Sequence, residues 1–118
     1  MRTAILSAAA LCLISAGAQA HAFLAKAEPA VGATVARAPA AIRLEFTEAV
    51  ELAFSGVEVV DAKGAAVALR APHFGDAAHK VIVAELPTLA PGSYHLKWHV
   101  VSVDTHRTDG DFTFTVKP

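Results

Sequence analysis

The C-terminal stretch of the chain, residues 93–118, reads SYHLKWHVVSVDTHRTDGDFTFTVKP and decides the fold. Apolar and polar residues alternate on both sides of a polar turn, and residues two apart in an extended strand face the same side. This period of two predicts two long strands that each bury one face against a core. The residues expected on the inner side are Tyr94, Leu96, Trp98, Val100, Phe112, Phe114 and Val116.

Further segments of the same kind precede this hairpin and are separated by turn-forming residues. Strands are expected at residues 41–46 (AIRLEF), 50–61 (VELAFSGVEVVD), 65–70 (AAVALR) and 79–86 (HKVIVAEL), with turns such as DAKG and PTLAPG between them. Strands with this spacing predict an all-β fold, a small antiparallel sandwich or barrel, rather than alternating strands and helices. Phe46 and Phe54 are expected to join Trp98 in the core.

The first twenty residues predict a secretory signal peptide. They combine the charged start MR, an apolar stretch and the small-residue sequence AQA, and the apolar part is shorter than the roughly 20 residues that cross a bilayer. Cleavage after Ala20 would leave residues 21–118 as one exported domain, and an uncleaved anchor helix is the alternative. The leader contains the only cysteine and the only methionine, Cys12 and Met1, so the mature chain would lack sulfur. The formal net charge is −1 without a basic run, which argues against nucleic acid as a partner.

Cleavage at this point would make His21 the first residue of the mature chain. Its free amine and its imidazole Nδ1 could then chelate one metal ion, since both nitrogens can lose their protons to a competing cation. The alternative is an ordinary residue that happens to follow a cleavage site.

A second candidate element lies in SVDTHRTDGDFTF, where Asp104 and His106 are two residues apart and would point to the same side. With His21, the donors are three nitrogens and one oxygen. A tetragonal plane of such donors suits copper(II), although zinc accepts them in a tetrahedron. The alternative is that Asp104 caps a turn and that His106 is a solvated loop residue.

The sequence resembles the CopC family of periplasmic copper-binding proteins. The matching pieces are the leader followed directly by His21, AEPAVGATVARAP, IRLEFTEAVELAFSGVEV and LPTLAPGSYHLKWHVVSVDTHRTDGDFTFTV. The resemblance implies a Greek-key β-sandwich of about seven strands, similar to cupredoxin and immunoglobulin folds. It also implies a site for one copper(II) ion per chain, built from His21, Asp104 and His106. Glu48 would lie beside the site, hydrogen-bonded to a ligand or to bound water.

One feature departs from the two-site members of that family, which hold copper(I) in a methionine-rich segment. The corresponding region here, LRAPHFGDAAHK, contains no thioether, the soft donor that stabilises copper(I). The chain therefore resembles the single-site, copper(II) type. His73 and His79 are expected to be solvated loop residues. His95 and His99 would lie about 13 Å apart along one strand and are expected not to be ligands.

The leading functional hypothesis is a periplasmic copper(II) carrier or buffer in copper homeostasis or resistance, without enzymatic activity. The resemblance suggests an inner-membrane copper transporter or another periplasmic copper protein as its partner. Two other classes stay open. An N-terminal histidine also forms the copper site of small oxidases and monooxygenases, and the chain could instead be a metal-free exported interaction module.

Overall fold

The alternating C-terminal segment forms a hairpin of two ten-residue strands in the computed structural model, which describes residues 21–118. The strands in chain order are β1 (Leu24–Glu28), β2 (Thr34–Val35), β3 (Ala41–Phe46), β4 (Gly56–Asp61), β5 (His73–Phe74), β6 (Val81–Glu85), β7 (Gly92–Val101) and β8 (Arg107–Val116). A short 3-10 helix covers Leu52–Phe54.

These strands form two four-stranded sheets, in the orders β1-β3-β6-β5 and β2-β8-β7-β4. The prediction of an all-β sandwich is confirmed. The described residues contain eight strands where about seven were expected. The sequence predicts no strand at β1, nor at β2 and β5, which are two-residue edge strands that alternation cannot reveal. The antiparallel prediction is wrong for one pair, since β2 runs parallel to β8.

The core lies between the two sheets and contains every inward residue predicted for the hairpin. Trp98 packs edge-on against Phe46, with ring centroids 5.2 Å apart. Gly110 lies opposite Trp98 in the β7–β8 register, and a Cβ there would stand 2.6 Å from Trp98 Cζ2. The indole therefore occupies the space that any other residue at position 110 would need.

Two local expectations are wrong. Phe54 is 66% exposed, because the chain forms the 3-10 helix there instead of extending the strand, and Leu52 packs against the core in its place. Residues 65–70 form no strand. They make one isolated bridge, Val60 to Ala66, and then run along the edge of β4.

The expected leader lies outside the described residues, so its cleavage after Ala20 stays a prediction. Within residues 21–118, no helix has the length and apolarity that crossing a bilayer requires.

Candidate metal centre

Three segments meet at one end of the sandwich. They are the N-terminal residues 21–23, the connection from β3 to β4, and the turn from β7 to β8. Backbone hydrogen bonds join the last two, including Val103 N–H to the carbonyl of Ala49 at 3.1 Å. Thr47, directly after β3, contacts the N-terminal segment. The fold thus brings together parts of the chain that are far apart in sequence.

The β7–β8 turn begins at Ser102, which is only 1% exposed. Its N–H donates to the carbonyl of His106 at 2.9 Å, and Thr105 N–H donates back to the carbonyl of Ser102 at 2.8 Å. Thr105 adopts a φ of 74°, a left-handed conformation that is rare for a β-branched residue. This tight turn leaves Asp104 and His106 on the outside of the sandwich, where both are exposed.

The carboxylate of Asp104 is held on both sides. The Ser102 hydroxyl donates to Oδ1, and Oδ2 lies 3.0 Å from Nδ1 of His106. The hydrogen bond from Ser102 lowers the pKa of Asp104 below its usual 3.8, and His106 lowers it further by hydrogen bonding and by charge, against an opposing desolvation effect. The turn therefore favours an ionised carboxylate beside an oriented imidazole.

The N-terminal segment is fixed by side-chain hydroxyls from both sheets. Phe23 N–H donates to Thr47 Oγ1 at 2.9 Å, and the Thr47 hydroxyl lies 3.4 Å from the carbonyl oxygen of His21. On the other side, the Thr108 hydroxyl donates to the carbonyl of Ala22 at 2.6 Å. Ala22 itself is fully buried and closes this end of the core.

These contacts place the imidazole of His21 beside that of His106, with ring centroids 4.7 Å apart and an interplanar angle of 33°. The structure thus places two of the predicted ligands, His21 and His106, beside each other, and the third, Asp104, contacts His106. Glu48 is exposed in the β3–β4 connection next to Thr47. Within residues 21–118, its carboxylate makes no hydrogen bond or ion pair.

The remaining histidines make other contacts. His73 and His79 are exposed as expected, but His73 belongs to β5 and the ring of His79 stacks on Phe74 at 4.0 Å. His95 contacts Asp111 at 2.6 Å, and the ring of His99 occupies space above Gly56 that a Cβ would fill.

The donor types at this end fit a divalent cation of borderline hardness, since they are imidazole, carboxylate and, after cleavage, an amine. In the full-length chain the nitrogen of His21 is a peptide nitrogen bonded to Ala20, so the chelating pair would exist only after the expected cleavage. Asp104 and His106 are hydrogen-bonded to each other. The described part of the chain contains no group of three or more His, Cys, Asp and Glu residues arranged to hold a metal ion.

Comparison with known proteins gives the family. A CopC domain matches residues 24–117. This chain belongs to the CopC family. It is 42% identical over 106 residues to Protein YobA of Escherichia coli strain K12, a match that covers 89% of this chain and 86% of YobA.

Two solved CopC-type structures resemble the fold closely. The crystal structure of CopC from Methylosinus trichosporium OB3b matches with a TM-score of 0.78 and 34% identity, covering 83% of this chain and 95% of that one. PcoC of Escherichia coli, described as a methionine-rich copper resistance protein, matches with a TM-score of 0.74 and 35% identity, covering 83% of this chain and all of PcoC. The resemblance to the CopC family and its β-sandwich are therefore confirmed, and the chain is a member of a copper-binding, copper resistance family.

Sequence reasoning missed three hydroxyl residues that hold the segments meeting at this end of the sandwich: Thr47, Ser102 and Thr108. A signal for two of them was present. Continuing the alternation of β7 by one residue turns Ser102 inward, and alternation along β8 turns Thr108 inward, so both follow the apolar inner positions. A hydroxyl at an inward position needs a hydrogen-bond partner, which is what both residues have here. Nothing in the sequence marked Thr47.

Proposed function

We propose that this CopC protein is a periplasmic copper(II) carrier or buffer that binds one ion per chain. The ligands would be the amine and imidazole of His21, the carboxylate of Asp104 and the imidazole of His106. The observation that carries the proposal is the approach of the His21 ring to the His106 ring, at 4.7 Å between centroids. Signal-peptide cleavage after Ala20 would supply the amine at the same place.

The turn supports this proposal because it forms half of the site before the ion arrives. The Ser102 hydroxyl and the tight turn fix Asp104, and Asp104 orients His106 through Nδ1. That contact leaves Nε2 of His106 for an ion, and the carboxylate oxygens keep further lone pairs. A site whose donors are held in place loses less conformational entropy on binding than a flexible one.

Glu48 is proposed as a residue that hydrogen-bonds a ligand or bound water. Its support is its position next to Thr47, which contacts the segment carrying His21. Because its carboxylate has no partner among residues 21–118, it is available for such a bond.

The absence of sulfur from residues 21–118 supports a single copper(II) site. PcoC is described as methionine-rich, whereas this chain has one methionine, Met1 in the expected leader. Without thioethers there is no soft donor set for copper(I). We propose a role in binding rather than catalysis, with handover to an inner-membrane copper transporter or another periplasmic copper protein.

The test is a copper(II) titration of protein exported with its own leader, whose N-terminus is first confirmed by mass spectrometry. A variant with one alanine inserted between Ala20 and His21 should lose the chelate and bind copper(II) at least tenfold more weakly. Its control carries the extra alanine after Pro118 and should bind as the wild type. Electron paramagnetic resonance should show three nitrogen ligands in the wild type only. Equal affinity of the wild type and the N-terminally extended variant would refute the proposal, and a parallel zinc titration tests selectivity.

A further inference from the structure

The three residues that begin the described chain are held by two threonine hydroxyls, one from each sheet, which we call the hydroxyl clamp. Thr47 follows β3 in the first sheet. Its Oγ1 accepts from Phe23 N–H at 2.9 Å, and its backbone N–H donates to the Phe23 carbonyl at 2.9 Å. Thr108 belongs to β8 in the second sheet and donates to the Ala22 carbonyl at 2.6 Å. The clamp therefore fixes consecutive peptide groups against both sheets.

The position of Thr108 explains why a hydroxyl is needed there. Alternation along β8 puts Thr108 on the same side as Gly110 and Phe112, the side that faces the core. Ala22 packs over this end of the core with no exposed surface. Its carbonyl is therefore removed from bulk water and needs a donor from the protein, which the Thr108 hydroxyl supplies. An apolar side chain of the same shape would leave this carbonyl without its partner.

The position of His21 depends on how the start of the chain is held. The first residues of a domain are poorly ordered unless contacts hold them. After cleavage, His21 would have no preceding residue, and its amine and imidazole would depend on Ala22 and Phe23 for their position. Those are the two residues whose peptide groups the clamp holds.

We propose that Thr108, acting with Thr47, is a positioning residue for metal binding: the hydroxyl clamp holds the amine and imidazole of His21 next to the Asp104–His106 pair. The inference rests on the function proposed above. Thr108 itself would not touch the ion. Its hydroxyl helps to determine the position of the amine and imidazole of His21, whereas the β7–β8 turn determines the position of Asp104 and His106.

The test uses Thr108→Val, which keeps the shape of the side chain and removes the hydroxyl, in protein exported with its own leader. Removal of partners that orient metal ligands costs about 10–100-fold in affinity, and we expect a loss of that size for copper(II) in a competition titration. Electron paramagnetic resonance at one equivalent of copper(II) should show a heterogeneous signal with fewer nitrogen ligands. Thr108→Ser restores the hydroxyl and should recover both the affinity and the wild-type spectrum.

The matched control is Tyr94→Phe. It removes a hydrogen bond of the same type, from the Tyr94 hydroxyl to the Ala90 carbonyl at 2.5 Å, near the start of β7 and about 20 Å from the site by strand rise. This control should bind copper(II) as the wild type does. If Thr108→Val does not fold, Thr47→Val removes the other hydroxyl and gives the same readouts.

The outcomes separate the two proposals. A wild type that binds copper(II) through His21, together with a Thr108→Val variant of equal affinity and identical spectrum, overturns the positioning role alone. An affinity loss in Thr108→Val that Thr108→Ser does not recover also overturns it. A wild type that does not bind copper(II), or binds it without His21, overturns the proposed function and the positioning role with it.

Discussion

The imidazole rings of His21 and His106 lie with their centroids 4.7 Å apart, although nearly the whole described chain separates the two residues in sequence. Both sheets contribute to this approach. The β7–β8 hairpin carries His106, while hydroxyls following β3 and on β8 hold the segment that carries His21. The candidate site thus forms where the two sheets meet, and its properties should depend on residues other than the proposed ligands.

Copper(II) should raise the free energy of unfolding of the protein exported with its own leader. A ligand that binds only the folded state stabilises it by about 4 kcal/mol at a thousandfold excess over Kd. His106→Ala should abolish most of this gain, because it removes one of the proposed ligands. His73→Ala removes an exposed histidine of β5 and should keep the gain. Thermal melts with and without copper(II) measure this gain in stability. An unchanged gain in His106→Ala would contradict the proposal that His106 binds the ion.

Ser102→Ala should raise the pKa of Asp104 towards 3.8, because the Ser102 hydroxyl makes the largest contribution to lowering it. Because the pKa of Asp104 is lower in the folded than in the unfolded chain, the ionised carboxylate stabilises the fold at pH values above the pKa of the unfolded chain. This contribution to stability is lost as the pH falls through the lowered pKa. The variant starts with a smaller contribution, so its stability should depend less on pH in this range. A carboxyl titration by nuclear magnetic resonance measures the shift. Ser93→Ala, at the other end of β7, should leave the pKa of Asp104 unchanged.

Thr105→Gly should stabilise the protein by about 1 kcal/mol. Relief of a left-handed conformation in a β-branched residue outweighs the entropy that glycine loses on folding, and Thr105 has a φ of 74°. Urea denaturation without metal measures the change. Thr113→Gly, at an exposed strand position of β8, should destabilise, since no strain is relieved there. Destabilisation of equal size in both variants would show that the turn stores no strain.

Gly110→Ala should destabilise the core by about 1–3 kcal/mol, since overpacking displaces a well-packed neighbour. The added Cβ would stand 2.6 Å from Trp98 Cζ2, so the indole must move. Denaturation followed by the fluorescence of Trp98, the only tryptophan in the chain, measures the cost.

The matched background for this variant is Trp98→Leu, followed by circular dichroism. In that background Gly110→Ala should cost much less, because the ring that opposes the new methyl group is absent. An equal cost in both backgrounds would mean that the clash with Trp98 is not the cause.

Strand alternation predicted the sandwich and its core because the side to which a residue points in a strand is a local property. Trp98, Phe112 and Phe114 are buried as the period of two requires. The same reasoning failed at Phe54, where a 3-10 helix replaces the strand, and at the edge strand β2, which is too short to show a period. Alternation cannot reveal either feature, because the 3-10 helix is a local turn of the chain and β2 is held by its pairing with β8.

The sequence by itself determined the all-β fold, the inward residues of the hairpin and the nearness of Asp104 to His106, since each depends on residues within one or two strands of each other. Only the tertiary structure decided that His21 lies against His106, that Ser102 holds Asp104, and that Thr47 and Thr108 fix the N-terminal segment. The physical reason is the separation along the sequence between the residues that determine each feature. Periodicity describes neighbours along the chain, whereas the candidate site lies where the two sheets pack against each other and Ala22 is buried.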